Sequence, residues 1–246
     1  MSKMTKVRVS QDCKVPELRK LVKIISEYDA LQKKHDIIDD EAYAECISRM
    51  RNLTERCCTY SSFGKNIPGI DNTLMGYILG YVNFDECENV FQVLTYCGLC
   101  STYGNYNKLL NKKLMNAAKY FVAKQSPYSL YYYDCLLKTI LQYKNKGITD
   151  LQQILVMAVP IAQRYMMRMF IVDVFTFYKK YMNAISDTGA TGVDDFHRNE
   201  RVLVDFEDFV IPNFSFRENI KLAKIYRYKM TKYKMLLNRY RLAYAS

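Results

Sequence analysis

Tryptophan is absent from this 246-residue chain, histidine occurs twice, proline five times and glycine nine times. Scarce Pro and Gly leave few enforced breaks, and apolar residues recur at helical spacing in most segments, so the expected fold is all-α. The two histidines, His35 and His197, have no Ser, Cys or metal-ligand set at useful spacing. No Walker A sequence, GxGxxG, HExxH or GxSxG occurs, so no motif-borne enzyme chemistry is legible, and no cofactor is called for. Met1 to Val15 has basic residues but no apolar core, which argues against a signal peptide. Leu151 to Tyr178 is the most apolar stretch, but Gln163, Arg164, Arg168 and Asp173 interrupt it, so no transmembrane segment is expected. Without an export signal, the eight cysteines read as thiols in a reducing compartment, cytoplasm or nucleus.

Acidic residues are nearly missing from one stretch. Ser215 to Tyr244 holds nine Lys or Arg against Glu218 alone, a net +8 within a chain total of +11. Ser215 and Glu218 form a capping box. Ile220, Ala223, Tyr226, Met230, Tyr233, Leu237, Tyr240 and Tyr244 then draw one apolar stripe, while Arg217, Lys221, Lys224, Lys232 and Arg239 fall on the other face. The predicted helix therefore docks by tyrosines and shows positive charge outward. Charge so little opposed is not there for i,i+4 ion pairs. Aromatics beside Lys and Arg are what single-stranded nucleic acid uses for stacking and phosphate contact. A solvated helix face is the plainer reading, and an acidic protein or membrane surface a third.

Half of the residues are apolar, which supports a sizeable core. Residues 1–15 read as a flexible basic arm, 16–147 as an N-terminal helical lobe and 148–246 as a C-terminal helical lobe. Pro16 opens a first helix whose buried face is expected to hold Leu18, Leu21, Val22, Ile25 and Tyr28. Asp39 or Asp40 caps a second, striped by Tyr43, Cys46, Ile47, Met50 and Leu53. Residues 59–70 read as a loop. Asp71 caps a helix through about Val82, and its Gly76 and Gly80 suit a close helix crossing. Asp85 with Glu88 reads as a capping box before Val90, Phe91 and Leu94. Further helices are expected over roughly 108–124 and 130–143. Thr149 with Gln152 caps a long central helix to about Ile185, apolar nearly all round, which Pro160 should kink or split. Residues 186–214 form a connector of net charge −5, a possible intramolecular counter-charge to the basic helix.

Three smaller constellations remain. Arg164, Arg168, Phe175 and Lys179 lie within roughly 60° of one another on the central helix by helical projection. They read either as cations paired with acids elsewhere or as a basic, aromatic-lined cleft between two lobes. Cys97 and Cys100 form a CxxC, for which structural thiols are the leading reading ahead of zinc or redox chemistry. Asp187-Thr188-Gly189-Ala190 matches the retroviral-type aspartic protease signature, but the β-hairpin loops that chemistry requires are not expected here.

These features predict an α-helical bundle of two lobes around the central helix, with a basic C-terminal helix. Its expected function is sequence-independent binding of single-stranded nucleic acid, RNA before DNA. Phosphates would meet Lys221, Lys224, Arg227, Lys232 and Arg239, with Arg164, Arg168 and Lys179 lining the cleft and Tyr228 and Phe175 stacking on bases. In size, basic balance, helical content and terminal arms the chain resembles helical nucleocapsid proteins of RNA viruses, a likeness of general character that no motif carries. It implies a packaging or protective role, a homo-oligomer and a place in the virion. A non-catalytic helical adaptor and a thiol oxidoreductase are the alternatives.

Overall fold

A proline in the first turn of a helix sacrifices no hydrogen bond, and Pro16 takes that place in α1 (Val15–Lys33). The computed structural model describes residues 15–33, 40–100, 105–188 and 235, with the side chains of the longest helix described through Met182. After α1 come α2 (Asp40–Glu55), a π-helical turn (Thr59–Phe63), a 3-10 turn (Gly64–Asn66) and α3 (Asn72–Tyr81). Then follow α4 (Val90–Tyr96), α5 (Lys108–Ala123), α6 (Ser129–Asn145) and α7 (Leu151–Thr188). No strand occurs among the described residues, and the fold is all-α with one long apolar helix. The loop expected over 59–70 is instead partly helical, because Thr59, Tyr60, Phe63 and Gly64 are all buried and the chain coils to hide them.

The described residues form two compact units, and neither is continuous in sequence. One combines α1, α2, the turns through Asn66, Ile70–Val93 and α7 from Val174 onward. The other combines Ile67–Gly69 with the described part of Leu94–Asp173.

In the first unit α1, α2 and α3 pack against one another. The contact is close because α3 carries glycines where its neighbours arrive. A Cβ on Gly80 would lie 2.4 Å from Val22 Cγ2, and one on Gly76 would lie 2.7 Å from Thr54 Oγ1. Asp71 caps α3 as expected, accepting from Leu74 N at 2.7 Å. Phe177 of α7 stacks on Phe63 with centroids 5.2 Å apart, and the Tyr178 ring lies 5.1 Å from that of Phe84. The Tyr178 hydroxyl donates to Asp85 Oδ1 at 2.7 Å, and Arg19 Nη2 stands 3.6 Å from Asp85 Oδ2. Asp85 is therefore engaged in a tertiary network, and the N-cap of α4 lies one turn later, at Asn89. Asn89 Oδ1 accepts from Gln92 N at 3.1 Å, and Gln92 Oε1 accepts from Glu88 N at 2.9 Å.

In the second unit Phe121, Tyr128 and Phe170 form an aromatic core. Phe121 and Tyr128 each meet Phe170 nearly edge-on, at 5.2 and 5.4 Å between centroids. Gly69, at φ +93°, lets the backbone pass against Phe121, whose Cα would sit 3.2 Å from a Cβ there. Asp173 is buried, and the Tyr128 hydroxyl donates to its Oδ2 at 2.8 Å. Asp150, rather than Thr149, caps α7, accepting from Gln152 N at 2.9 Å.

Helix α7 runs unbroken through Pro160. Pro160 and Val156 are both exposed, so the carbonyl that loses its partner lies on the outer side, where water can satisfy it. By length and composition alone, Leu151–Met182 is apolar enough to cross a membrane. Within the second unit, however, its Phe170 is fully buried and its Arg168 and Asp173 are hydrogen-bonded to protein partners.

Candidate nucleic-acid interface

The four α7 residues expected to line a cleft fall in different settings. Arg164 is exposed and Arg168 half-buried. Arg168 donates from Nε at 3.2 Å and Nη2 at 2.8 Å to one acceptor, the Leu99 carbonyl. Leu99 itself is fully buried, so its carbonyl needs a protein partner. Phe175 is only 9% exposed. Its ring lies 6.3 Å from that of Phe84, and Lys179 Nζ lies 5.6 Å from its centroid, a cation–π contact. As placed, Phe175 offers little ring face to a base, and Arg164 is the exposed cation of the four.

The turn after α4 shows why Arg168 is held. Helix C-termini leave carbonyls without partners. Asn107 N donates to Tyr96 O at 2.8 Å, and Asn111 Nδ2 donates to the carbonyls of Cys97 and Gly98 at 2.9 and 3.1 Å. Arg168 takes the next one. Gly98, at φ +68°, makes the reversal, and a Cβ there would lie 2.5 Å from the Tyr106 ring. Cys97 is buried and Cys100 half-buried, both as thiols. They follow the end of a helix, not the helix N-terminus at which a redox-active CxxC sits. No group of three His, Cys, Asp or Glu placed to hold a metal occurs among the described residues. Asp187 and Thr188 belong to the last turn of α7, which is not the hairpin loop an aspartic protease needs.

Several expected features lie outside the described residues: most of the basic arm, His35 and His197, the connector beyond residue 188, and the helix over 215–244 with Lys221, Lys224, Arg227, Tyr228, Lys232 and Arg239. Met235 is described there, helical and 53% exposed.

A second basic surface escaped the reading by sequence. From Asn89 to Tyr133 the chain has five lysines and no acidic residue. All five are on α5 or at its end: Lys108, Lys112, Lys113, Lys119 and Lys124. Leu110, Leu114, Ala117, Ala118 and Phe121 form the buried face of that helix. Lys108, Lys112 and Lys119 are exposed, and none has an acidic partner among the described residues. Helical projection puts these three within roughly 40° of each other, opposite the buried face. Tyr120, beside them, is 64% exposed. Against all of this, comparison with protein-family models, with curated proteins and with solved structures gave no match.

Proposed function

We propose that this chain binds single-stranded nucleic acid without sequence preference, RNA before DNA, in a packaging or protective role. The observation that carries the reading is charge segregation: a net +8 between Ser215 and Tyr244, with one acid, against +11 for the whole chain. A polyanion answers such a surplus, and tyrosines interleaved with the cations supply faces for unpaired bases. Lys221, Lys224, Arg227, Lys232, Arg239 and exposed Arg164 meet phosphates, and Tyr228 stacks. Arg168 and Lys179, whose head groups are already engaged by Leu99 and Phe175, contribute less. The reading requires no catalytic group.

The test is direct. Protein purified without nuclease should carry nucleic acid, seen as a raised ratio of absorbance at 260 to 280 nm. Stripped protein should bind unrelated labelled oligonucleotides with similar affinity, falling steeply with salt. A second reading, a non-catalytic adaptor, draws on the exposed apolar side chains Val156, at 75%, and Ile161, at 44%. It takes over if stripped protein ignores oligonucleotides at low salt.

A further inference from the structure

Unpaired lysines on a helix are costly in small ways. Like charges four residues apart, as Lys108 and Lys112 are, destabilise an isolated helix by about 0.2–0.5 kcal/mol. A cation in the first turn, as Lys108 is, also opposes the helix dipole. If solvation were the only purpose of the outer face, alternating signs would serve better. Helix α6 in the same unit does this: Lys138 Nζ lies 2.7 Å from Asp134 Oδ2, one turn away. Helix α5 does not, and no acid occurs in the sequence around it from Asn89 to Tyr133. Lys108, Lys112 and Lys119 on its outer face therefore have no acidic partner among the described residues, and an external anion would supply one.

An aromatic ring flanks this face. Tyr120 exposes 64% of its surface, and by helical projection it lies roughly 80° around the helix from Lys112. Lys108 to Lys119 spans about 16 Å along the axis at 1.5 Å per residue. At about 3.4 Å per nucleotide along one strand, that is the length of roughly five nucleotides, and fewer in an extended strand. A line of cations with a stacking platform beside it is how single strands are held, since a duplex keeps its base faces hidden.

We propose that the outer face of α5, formed by Lys108, Lys112 and Lys119 with the ring of Tyr120, is a contact surface for single-stranded nucleic acid, additional to the helix over 215–244. The proposal rests on the nucleic-acid reading above and adds a site to it.

The experiment uses the full chain and fluorescence anisotropy with labelled oligouridine and a blunt RNA hairpin across a salt series. Lys108→Gln, Lys112→Gln and Lys119→Gln together should leave helicity intact, weaken oligouridine binding about tenfold or more, and flatten the slope of log K against log salt by about 2. Tyr120→Ala should weaken oligouridine binding about fivefold or more with the slope unchanged, should leave the hairpin unaffected, and Tyr120→Phe should restore wild-type affinity. If wild-type protein binds and both variants match it in affinity and slope, α5 is a solvated face and the broader reading survives. If Tyr120→Ala weakens oligouridine and hairpin alike, or has no effect while the lysine variant does, the single-strand assignment is wrong. Wild-type protein that binds neither probe at low salt removes both readings.

Discussion

Arg168 and Leu99, 69 residues apart in sequence, are joined by two hydrogen bonds from one guanidinium to one carbonyl. The bond pair ties α7 to the turn that ends α4, and it makes Arg168 a structural residue whatever else it touches. Arg168→Ala strands a buried acceptor, and the expected loss is about 1–3 kcal/mol in urea denaturation. Arg168→Lys, with one point donor, should recover part of it. Unchanged stability in Arg168→Ala would mean that the Leu99 carbonyl is satisfied otherwise.

Gly80 gives a prediction whose sign is opposite to the general rule. Replacing Gly by Ala inside a helix ordinarily stabilises by about 0.4–1 kcal/mol. Here the new Cβ would come within 2.4 Å of Val22 Cγ2 and 3.2 Å of the Leu18 carbonyl. Gly80→Ala should therefore destabilise by about 1–3 kcal/mol, the usual effect of overpacking. A rise in melting temperature would show that α1 and α3 are not held this closely.

Asp173 makes stability depend on pH. Burial pushes its carboxyl up to about 6, while the hydrogen bond from Tyr128 works in the other direction. The folded chain thus keeps a proton that the unfolded chain releases near pH 4. The stabilising contribution is full below about 4 and is lost as pH rises through about 6, an effect on the order of 3 kcal/mol. Asp173→Asn keeps an acceptor for Tyr128 without the charge. Measured by urea denaturation, the stability of this variant relative to wild type should increase from pH 4 to pH 7. A difference that does not change with pH would remove Asp173 as the cause.

What the sequence disclosed followed from locality. The Asp71 cap, the paired glycines of α3 and the helical spacing of apolar residues are local signals, and each is present in the structure. Where two local templates competed, tertiary contacts decided. Asp85 fits a capping box with Glu88, but Tyr178, from 93 residues away, takes its carboxylate, and Asn89 caps α4 instead. Pro160 reads as a break, yet an exposed position tolerates the lost hydrogen bond. The role of Arg168 was illegible because its partner is a backbone carbonyl, which no residue identity announces. The α5 lysines were legible in principle. The signal was the absence of any acid from Asn89 to Tyr133, overshadowed by the larger charge excess near the C-terminus.

The central claim is that positive charge on this chain exists to hold a nucleic-acid backbone. Its most direct measurement is the salt dependence of RNA binding in a variant with Lys221, Lys224, Lys232 and Arg239 changed to Glu. Surface substitutions of this kind usually leave stability within about 0.5 kcal/mol each, so the fold should persist by circular dichroism. Each neutralised phosphate adds about −0.7 to the slope of log K against log salt for a single strand. Binding should weaken sharply, with a slope flatter by roughly 3 units and similar losses on unrelated sequences. A folded variant that binds RNA with wild-type affinity and wild-type slope would contradict it.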